Sequence, residues 1–303
     1  MNPPPEHGTP AGDAFLAIQK LARETDGDVQ ELLTLYALEG LLARIVASFY
    51  RDDFVLKGGV LLAAFSLRRP TKDIDLQATG LANDVNDVLE RVRTIAFLDL
   101  DDGLVFDPDS ITASTIREGD DYAGVRVRLN GQLGKSRLTV GIDVNFGDPI
   151  WPHPTEIVLP RLIETGRGPL RMLGYPLPMV IAEKTVTAIQ RGEANTRWRD
   201  FADVLTISRH HEFDATELHA ALKSVAEHRA TPLQPLLPAL AAMGELGQAR
   251  WAAWRRRQAH TSTMPERFDH VLEDVSLFVD PVLSHPAPAA ARWSPVTQEW
   301  IRL

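Results

Sequence analysis

The chain has 303 residues, of which 44% are hydrophobic and 24% charged, and its formal net charge is −9. Because proteins that coat nucleic acid are usually basic, this charge argues against broad nucleic-acid binding. The absence of cysteine excludes disulfides and thiolate metal sites, and it fits a cytoplasmic location. No apolar run approaches the roughly 20 residues needed to cross a bilayer, and no secretory signal pattern opens the chain, so we expect no membrane partner.

The first part of the sequence mixes helical and strand-like patterns. Residues 1–12 are rich in proline and glycine and are predicted to be disordered, and helical spacing of apolar residues then runs from Asp13 to about Tyr50. A short apolar strand at 54–56 stops at Gly58-Gly59. The patterns that follow predict a short helix over 60–67, a strand over 73–78 and a helix over 83–95.

Residues 110–146 have the alternating pattern of β-structure, and Asn130-Gly131 between two alternating runs predicts a hairpin turn. Three prolines between 149 and 154 then mark a change of element. The remaining sequence predicts helices over 179–191, 198–208, 215–227, 236–257 and 264–279.

These patterns predict an α+β fold in which a mixed-sheet domain precedes a helical one. The predicted boundaries are a disordered segment over 1–12, a mixed-sheet domain with N-terminal helices over 13–175, a helical domain over 176–284 and a peripheral tail over 285–303.

The strand at 73–78 carries two acidic residues at a spacing that places them on one face. Residues i and i+2 of a strand point to the same side, so Asp73 and Asp75 project together while Ile74 enters the core. Two carboxylates this close repel each other unless a cation lies between them, and Mg²⁺ favours such oxygen ligands together with substrate phosphates. Asp143 lies on the polar face of the run 138–146, and it joins the pair if the two strands are neighbours. Three carboxylates can hold two metal ions.

Lys57-Gly58-Gly59 lies between a strand and a helix, where phosphates often bind. Free backbone N–H groups at the start of a helix attract anions, and glycine allows the phosphates to approach closely. Gly-Gly and Asp-x-Asp are weak motifs when taken alone. Their order here, namely strand, Gly-Gly, short helix, Asp-x-Asp strand and later Asp strand, indicates nucleotidyl transfer.

Two segments resemble the AbiEii/AbiGii nucleotidyltransferase toxins, which belong to the DNA polymerase β-like superfamily. The mycobacterial MenT toxins are relatives of these toxins. The first segment runs from Phe54 to Gly59 and continues with Arg69-Pro70-Thr71-Lys72-Asp73-Ile74-Asp75-Leu76. The second comprises Ala182-Glu183-Lys184 and the run from Arg197 to Val204.

The resemblance implies a polymerase β-like domain and a Mg²⁺-dependent toxin that transfers NMP from an NTP to the 3′ end of tRNA and blocks translation. It also implies a cognate antitoxin. By analogy Asp73 and Asp75 bind metal, Lys184 contacts the NTP phosphates and Asp203 is essential to activity. Nucleotide contacts are expected from seven residues: Lys57, Gly58, Gly59, Thr71, Lys72, Lys184 and Asp200.

The residues of the second segment also allow a plainer interpretation. Asp200 and Asp203 share one face of a helix, and Lys184 lies on the preceding helix, so a salt bridge between the helices is the alternative to a phosphate contact.

Two alternatives to the whole function also stay open at this point. One is a nucleotidyltransferase that acts on a protein or a small-molecule hydroxyl, and the other is a catalytically silent binding partner with the same fold.

Other candidate residues favour structural roles. The acidic stretch from Asp99 to Asp109 lacks the spacing of a calcium loop and is predicted to be solvated. His210, His211 and His219 have no metal-ligand companions at a convincing spacing and are predicted to lie at the surface. The tryptophans after residue 197 are more typical of core anchors than of base-stacking platforms.

Overall fold

The computed structural model describes residues 7–118, 122–147, 149–256, 264–283 and 290–303. The chain divides into two compact units. Unit 1 comprises residues 1–148 and 154–175, and unit 2 comprises 149–153 and 176–303. The disorder predicted for residues 1–6 lies outside the described residues, whereas Pro10 already begins a helix.

The described part of unit 1 is a seven-stranded mixed sheet with helices. The strands are β1 (Phe54–Lys57), β2 (Asp73–Ala78), β3 (Leu104–Glu118), β4 (Tyr122–Leu133), β5 (Ser136–Asn145), β6 (Thr155–Leu159) and β7 (Leu170–Gly174). The helices are α1 (Pro10–Thr25), α2 (Val29–Ala47), α3 (Gly58–Leu61) and α4 (Val85–Ala96). The sheet has the order β3-β4-β5-β2-β1-β7-β6, in which β2 runs parallel to β5 and β1 parallel to β7. The predicted α+β class with a mixed sheet is confirmed.

The central strands alternate as the sequence predicts. Ile74, Leu76, Ile142 and Val144 are fully or almost fully buried, and they form one face of the sheet. Helix α2 packs against β5 and β7, while α4 packs against β3 and β4. Helix α4 begins after Asp84 because that carboxylate accepts hydrogen bonds from the first free backbone N–H groups of the helix. This buried face leaves the opposite side of the central strands for polar residues.

The hairpin turn predicted at Asn130-Gly131 is wrong. Both residues lie inside β4 and pair with β5, and the turn falls at Gly134-Lys135, between the paired Leu133 and Ser136. A side chain at position 131 would begin 2.8 Å from the ring of Phe106 on β3. Glycine is therefore needed at this position for close packing across the strands, and it makes no turn.

The acidic stretch over 99–109 is also more structured than predicted. Strand β3 begins at Leu104, and the Asp102 side chain is buried against Arg44 of α2. Arg44 donates to both carboxylate oxygens at 2.7 and 3.0 Å and to the backbone oxygens of Gly40 and Leu104 at 3.0 Å. Asp102 therefore ties the start of the sheet to α2 and is not solvated.

Unit 2 is mainly helical, as predicted. Its helices are α5 (Leu177–Arg191), α6 (Trp198–His210), α7 (Ala215–His228), α8 (Leu236–Ala239), α9 (Met243–Leu246), α10 (Gln248–Arg255) and α11 (Phe268–Leu283). Three short strands, β8 (Phe213–Asp214), β9 (Ala291–Ser294) and β10 (Glu299–Arg302), form a small sheet in the order β10-β9-β8. The single helix predicted over 236–257 is replaced by three short helices, of which α8 ends where Leu240 leaves helical geometry.

The C-terminal segment is part of the core of unit 2, whereas we predicted a peripheral tail. Trp293 of β9 is buried and its indole N–H donates to the backbone oxygen of Ser208 at 2.7 Å. It packs against Phe278 of α11, which also stacks on Trp300. The low-complexity sequence before residue 291 led to the prediction of a peripheral tail, although the aromatic residues that follow it are part of the core.

Two further predictions concern side chains of unit 2. Trp251 is fully buried, which confirms its role as a core anchor. His219, predicted at the surface, is instead buried, and its Nδ1 lies 2.7 Å from the backbone oxygen of Val282. Within the described ranges, no helix combines the length and the apolar character that crossing a membrane requires.

Candidate active site

A row of four charged residues crosses the centre of the unit 1 sheet. The backbone register pairs Asp75 of β2 with Lys57 of β1 on one side and with Asp143 of β5 on the other, and Asp143 with Arg126 of β4. Side chains at paired positions project to the same side of a sheet. The predicted neighbourhood of the Asp143 strand and the Asp73–Asp75 strand is thus confirmed.

A second row lies beside the first, and it spans three strands. Asp73 of β2 pairs with Gly141 of β5, and Gly141 pairs with Arg128 of β4. Arg128 donates through Nη1 to Asp73 across the intervening strand. A Cβ at position 141 would collide with both the guanidinium and the carboxylate. Glycine at this position therefore leaves the space in which the two side chains meet.

Arg126 holds Asp143 through two hydrogen bonds. Nε lies 2.8 Å from Oδ1 and Nη2 lies 2.5 Å from Oδ2, which is the paired geometry that guanidinium and carboxylate groups favour. The Asp143 side chain is 13% exposed, whereas that of Arg126 is 42% exposed. The arginine therefore covers the carboxylate from the solvent side.

The donor set fits a metal ion bound by two carboxylates better than one bound by three. Within the part of the chain that the structure describes, no three acidic or histidine side chains are grouped closely enough to hold a metal. Arg126 makes two hydrogen bonds to Asp143, which is 13% exposed, whereas Arg128 contacts Asp73 through one oxygen and leaves it 30% exposed. Asp73 and Asp75, which share one strand face, are therefore the more available pair. Mg²⁺ is commonly bound by one or two carboxylates together with substrate phosphates, so Asp73 and Asp75 suffice for such a site.

Asp73, Asp75 and Asp143 lie on one side of the sheet, which we call the acidic face, and the Gly58-Gly59 turn lies directly against it. Gly58 has φ of +66°, and a Cβ there would lie 2.5 Å from Cγ of Asp75. A Cβ at Gly59 would lie 2.9 Å from Nη1 of Arg69 and 3.0 Å from the hydroxyl of Thr71. The two glycines thus allow the acidic and the basic side chains to approach the same stretch of backbone.

The helix after the glycines is shorter than predicted. α3 has four residues, Gly58–Leu61, and a 3₁₀ turn continues from Leu62 to Phe65. One turn of helix contributes a small dipole, so phosphate binding at this position depends on backbone N–H groups and on nearby cations.

Three other residues of unit 1 that were predicted to contact the nucleotide lie around this turn. Lys57 is buried, and its Nζ lies 5.3 Å from the centre of the Tyr175 ring. Thr71 donates to the backbone oxygen of Asp73 at 3.3 Å, and Lys72 is exposed next to it in the chain. Lys57 and Thr71 therefore lie beside the carboxylates, with Lys72 at the surface.

Unit 2 contains a separate charged cluster. Lys184 of α5 donates through Nζ to Asp200 at 2.7 Å and to Asp203 at 2.8 Å, both on α6. Arg197 donates through Nε to the other oxygen of Asp200 at 2.6 Å. Side-chain exposure is 12% for Lys184, 10% for Asp200 and 4% for Asp203, so the cluster is largely dry. The salt bridge between helices that the sequence left open is thus present.

Asp200 has a strongly perturbed pKa. Burial by itself raises the pKa of this carboxyl, but the positive charges of Lys184 and Arg197 outweigh burial and bring it down to about 2. Asp200 is therefore ionised at neutral pH. Lys184 donates a hydrogen bond to Asp200 and another to Asp203, so the two carboxylates share one cation.

Sequence reasoning missed the arginines of the acidic face. Neither Arg126 nor Arg128 was among the predicted site residues, yet each holds a carboxylate. A signal was available, because both occupy the polar positions of an alternating strand next to the strand of Asp143. Arg69, which lies over Gly59, had no comparable signal.

The family model described as "Nucleotidyl transferase AbiEii toxin, Type IV TA system" matches residues 40–274, which is well over half of the chain. The protein is accordingly a nucleotidyltransferase. The chain belongs to the AbiEii family of nucleotidyltransferase toxins, as the resemblance of its motifs predicts. The family implies an NTP substrate and a cognate antitoxin.

Solved structures similar to this chain include two from Helicobacter pylori. JHP933 is 17% identical with a TM-score of 0.44, over 82% of this chain and 90% of that one. A protein described as "putative nucleotidyltransferase" is 16% identical with a TM-score of 0.46, over 84% of this chain and 93% of that one. No curated protein matches the chain.

Proposed function

We propose that this enzyme transfers NMP from an NTP to the 3′ end of tRNA in the cytoplasm in a Mg²⁺-dependent reaction, and that the transfer blocks translation. The main support for the catalytic part of this proposal is the close approach of the Asp75 carboxylate to Gly58, which lies at the start of a turn flanked by cations. Carboxylates and phosphate-binding backbone then lie side by side, as transfer of a phosphoryl group requires.

Asp73 and Asp75 are the proposed metal ligands, and Asp143 completes the acidic face from β5. A divalent metal bound there would neutralise the triphosphate and lower the pKa of the attacking hydroxyl. The backbone of Gly58 and Gly59 would bind phosphate oxygens, with the hydroxyl of Thr71 and the ammonium groups of Lys57 and Lys72 nearby.

The cluster in unit 2 has a proposed role of its own. By family resemblance Lys184 contacts the NTP phosphates, Asp200 is a neighbour in the cluster and Asp203 is essential. A lysine that bridges two buried carboxylates is held in one position, which suits a group that must meet a phosphate without reorganisation. The same geometry also suits a purely structural ion pair, so the two roles must be separated by experiment.

A groove in unit 1 supports a nucleic-acid acceptor in spite of the acidic net charge. Its volume is about 490 Å³, and four of its lining residues are arginines: Arg51, Arg161, Arg167 and Arg171. Arg51 and Arg171 have side chains 48% and 59% exposed, and each is paired at the surface with a carboxylate, of Asp52 and Glu156 respectively, which a phosphate would replace. A local cluster of guanidinium groups can bind a phosphate backbone even on a protein that is acidic overall.

The catalytic proposal is tested with each of the four α-³²P-labelled NTPs and a mixture of total tRNA, protein and small hydroxyl compounds. We expect label in the tRNA fraction, at the 3′ end, and none with Asp75→Asn, whose amide is isosteric but uncharged. Label that entered only protein or small molecules would reject the tRNA acceptor and keep the transferase. A wild-type protein that consumed no NTP would reject both.

The acceptor groove is tested with the double variant Arg167→Gln and Arg171→Gln. We expect the apparent affinity for tRNA to fall about tenfold and the slope of log affinity against log salt to decrease by about two. Binding of NTP should not change. An unchanged affinity and slope would show that the acceptor binds elsewhere.

A further inference from the structure

Arg128 reaches its carboxylate partner over a strand that has no side chain at the crossing point. It starts on β4 and contacts Asp73 on β2, passing above Gly141 of β5. Its side chain is 39% exposed and that of Asp73 is 30% exposed. Because this ion pair lies at the surface of the acidic face, the guanidinium can leave it without breaking the core.

The charges of the two rows balance one another, and Arg69 and Lys72 add further positive charge nearby. The three carboxylates of the acidic face, Asp73, Asp75 and Asp143, are matched in the two rows by three cations, Lys57, Arg126 and Arg128. A divalent metal that arrived alone would have to displace Arg128 from Asp73 and would leave an excess of positive charge. A metal that arrived with a triphosphate would bring its own negative charge and a new partner for the displaced guanidinium.

We propose that Arg128 holds Asp73 while the site is empty of substrate, and transfers to the triphosphate when metal and NTP bind together. Arg128 is then a phosphate-binding and positioning residue, and it makes metal binding depend on nucleotide. The inference rests on the proposed function, because it takes Asp73 as a metal ligand. A guanidinium suits this exchange, since it pairs equally well with a carboxylate and with phosphate oxygens.

The first test measures Mn²⁺ binding without nucleotide, by electron paramagnetic resonance of the unbound ion. In Arg128→Gln the carboxylate of Asp73 loses its competing cation, so we expect Mn²⁺ to bind about tenfold more tightly than to wild type. The affinity for an α,β-methylene analogue of the NTP, measured by calorimetry with Mn²⁺ present, should fall about tenfold. A merely structural role predicts weaker binding of both ligands, and a weaker or unchanged Mn²⁺ affinity overturns the proposal.

Two further variants complete the comparison. Arg93→Gln removes a guanidinium from an exposed pair with Glu90 on α4, and should change neither affinity. Asp75→Asn tests the site itself, and should weaken Mn²⁺ binding and abolish NTP consumption. If Asp75→Asn changed nothing, the proposed function would fail. If Asp75→Asn inactivated the enzyme while Arg128→Gln left both affinities unchanged, only the role of Arg128 would fail.

Discussion

Removal of Lys184 should destabilise unit 2 as well as impair activity. Lys184→Met keeps the length of the side chain but leaves Asp200 and Asp203, with side chains 10% and 4% exposed, facing each other without their shared cation. Breaking a buried ion pair by removing one partner typically costs about 3–5 kcal/mol. Arg197 still donates a hydrogen bond to one oxygen of Asp200. We therefore expect the free energy of unfolding to fall by about 3 kcal/mol at neutral pH, which is the lower end of this range.

The pKa of Asp200 gives a second magnitude for the same cluster and predicts how its contribution varies with pH. Its decrease from 3.8 to about 2 corresponds to about 2.5 kcal/mol at 1.36 kcal/mol per pKa unit. Because the folded-state pKa is depressed, this stabilisation is present above pH 3.8 and is lost as the pH falls towards 2. Lys184→Met removes the largest of the charges that lower the pKa of the Asp200 carboxyl, so this pKa rises and the penalty should shrink as the pH is lowered from about 7 to about 4.

The measurement is urea unfolding followed by tryptophan fluorescence. All six tryptophans lie in unit 2, so the signal reports the unit that contains the cluster. The triple variant Lys184→Met, Asp200→Asn, Asp203→Asn is the matched control and should recover most of the lost stability, because it removes the unpaired charges. This account of the cluster would be refuted if Lys184→Met lowered the free energy of unfolding by under about 1 kcal/mol and if that difference did not change with pH.

Three other substitutions have defined expected outcomes. Asp102→Ala leaves the guanidinium of Arg44 buried without its carboxylate, so urea unfolding of unit 1 followed by circular dichroism should show a loss of about 3–5 kcal/mol. Gly58→Ala forces a side chain into positive φ and against Asp75, so labelled-NTP consumption should fall about a hundredfold while the fold, judged by circular dichroism, persists. Trp293→Ala should lower the free energy of unfolding of unit 2 by about 3–5 kcal/mol in a urea titration, whereas a peripheral tail would give almost no change.

The sequence predicted those elements whose pattern is local. Strand β2 was predicted with its observed bounds, because its acidic and apolar residues alternate between a polar and a buried face. The turn predicted at Asn130-Gly131 was wrong because this dipeptide occurs both in tight turns and where two strands approach closely. Only the position of the Phe106 ring, far away in the chain, distinguishes the two cases. The burial of Trp293 likewise depends on partners far away in the chain.

The candidate site was predictable in part for the same reason. The common face of Asp73 and Asp75 follows from spacing in one strand, and the neighbouring position of Asp143 required only a pairing of two strands. The contacts of Arg126 and Arg128 depend on the exact register of β4 against β5, which a wrongly placed turn obscures. Lys184 shows a different limit, because one geometry serves both an ion pair and a phosphate contact.

The row from Lys57 to Arg126 spans four hydrogen-bonded strands, so the spacing of its side chains is set by the backbone ladder of the sheet. Loops open in local fluctuations, whereas central strands exchange their amide hydrogens mainly when a whole cooperative region unfolds. The amides of β2 and β5 should therefore be among the slowest to exchange in unit 1. The free energy needed to disrupt the arrangement of these side chains would then be close to the free energy of unfolding of the sheet. The acidic face should therefore stay assembled until the sheet itself unfolds.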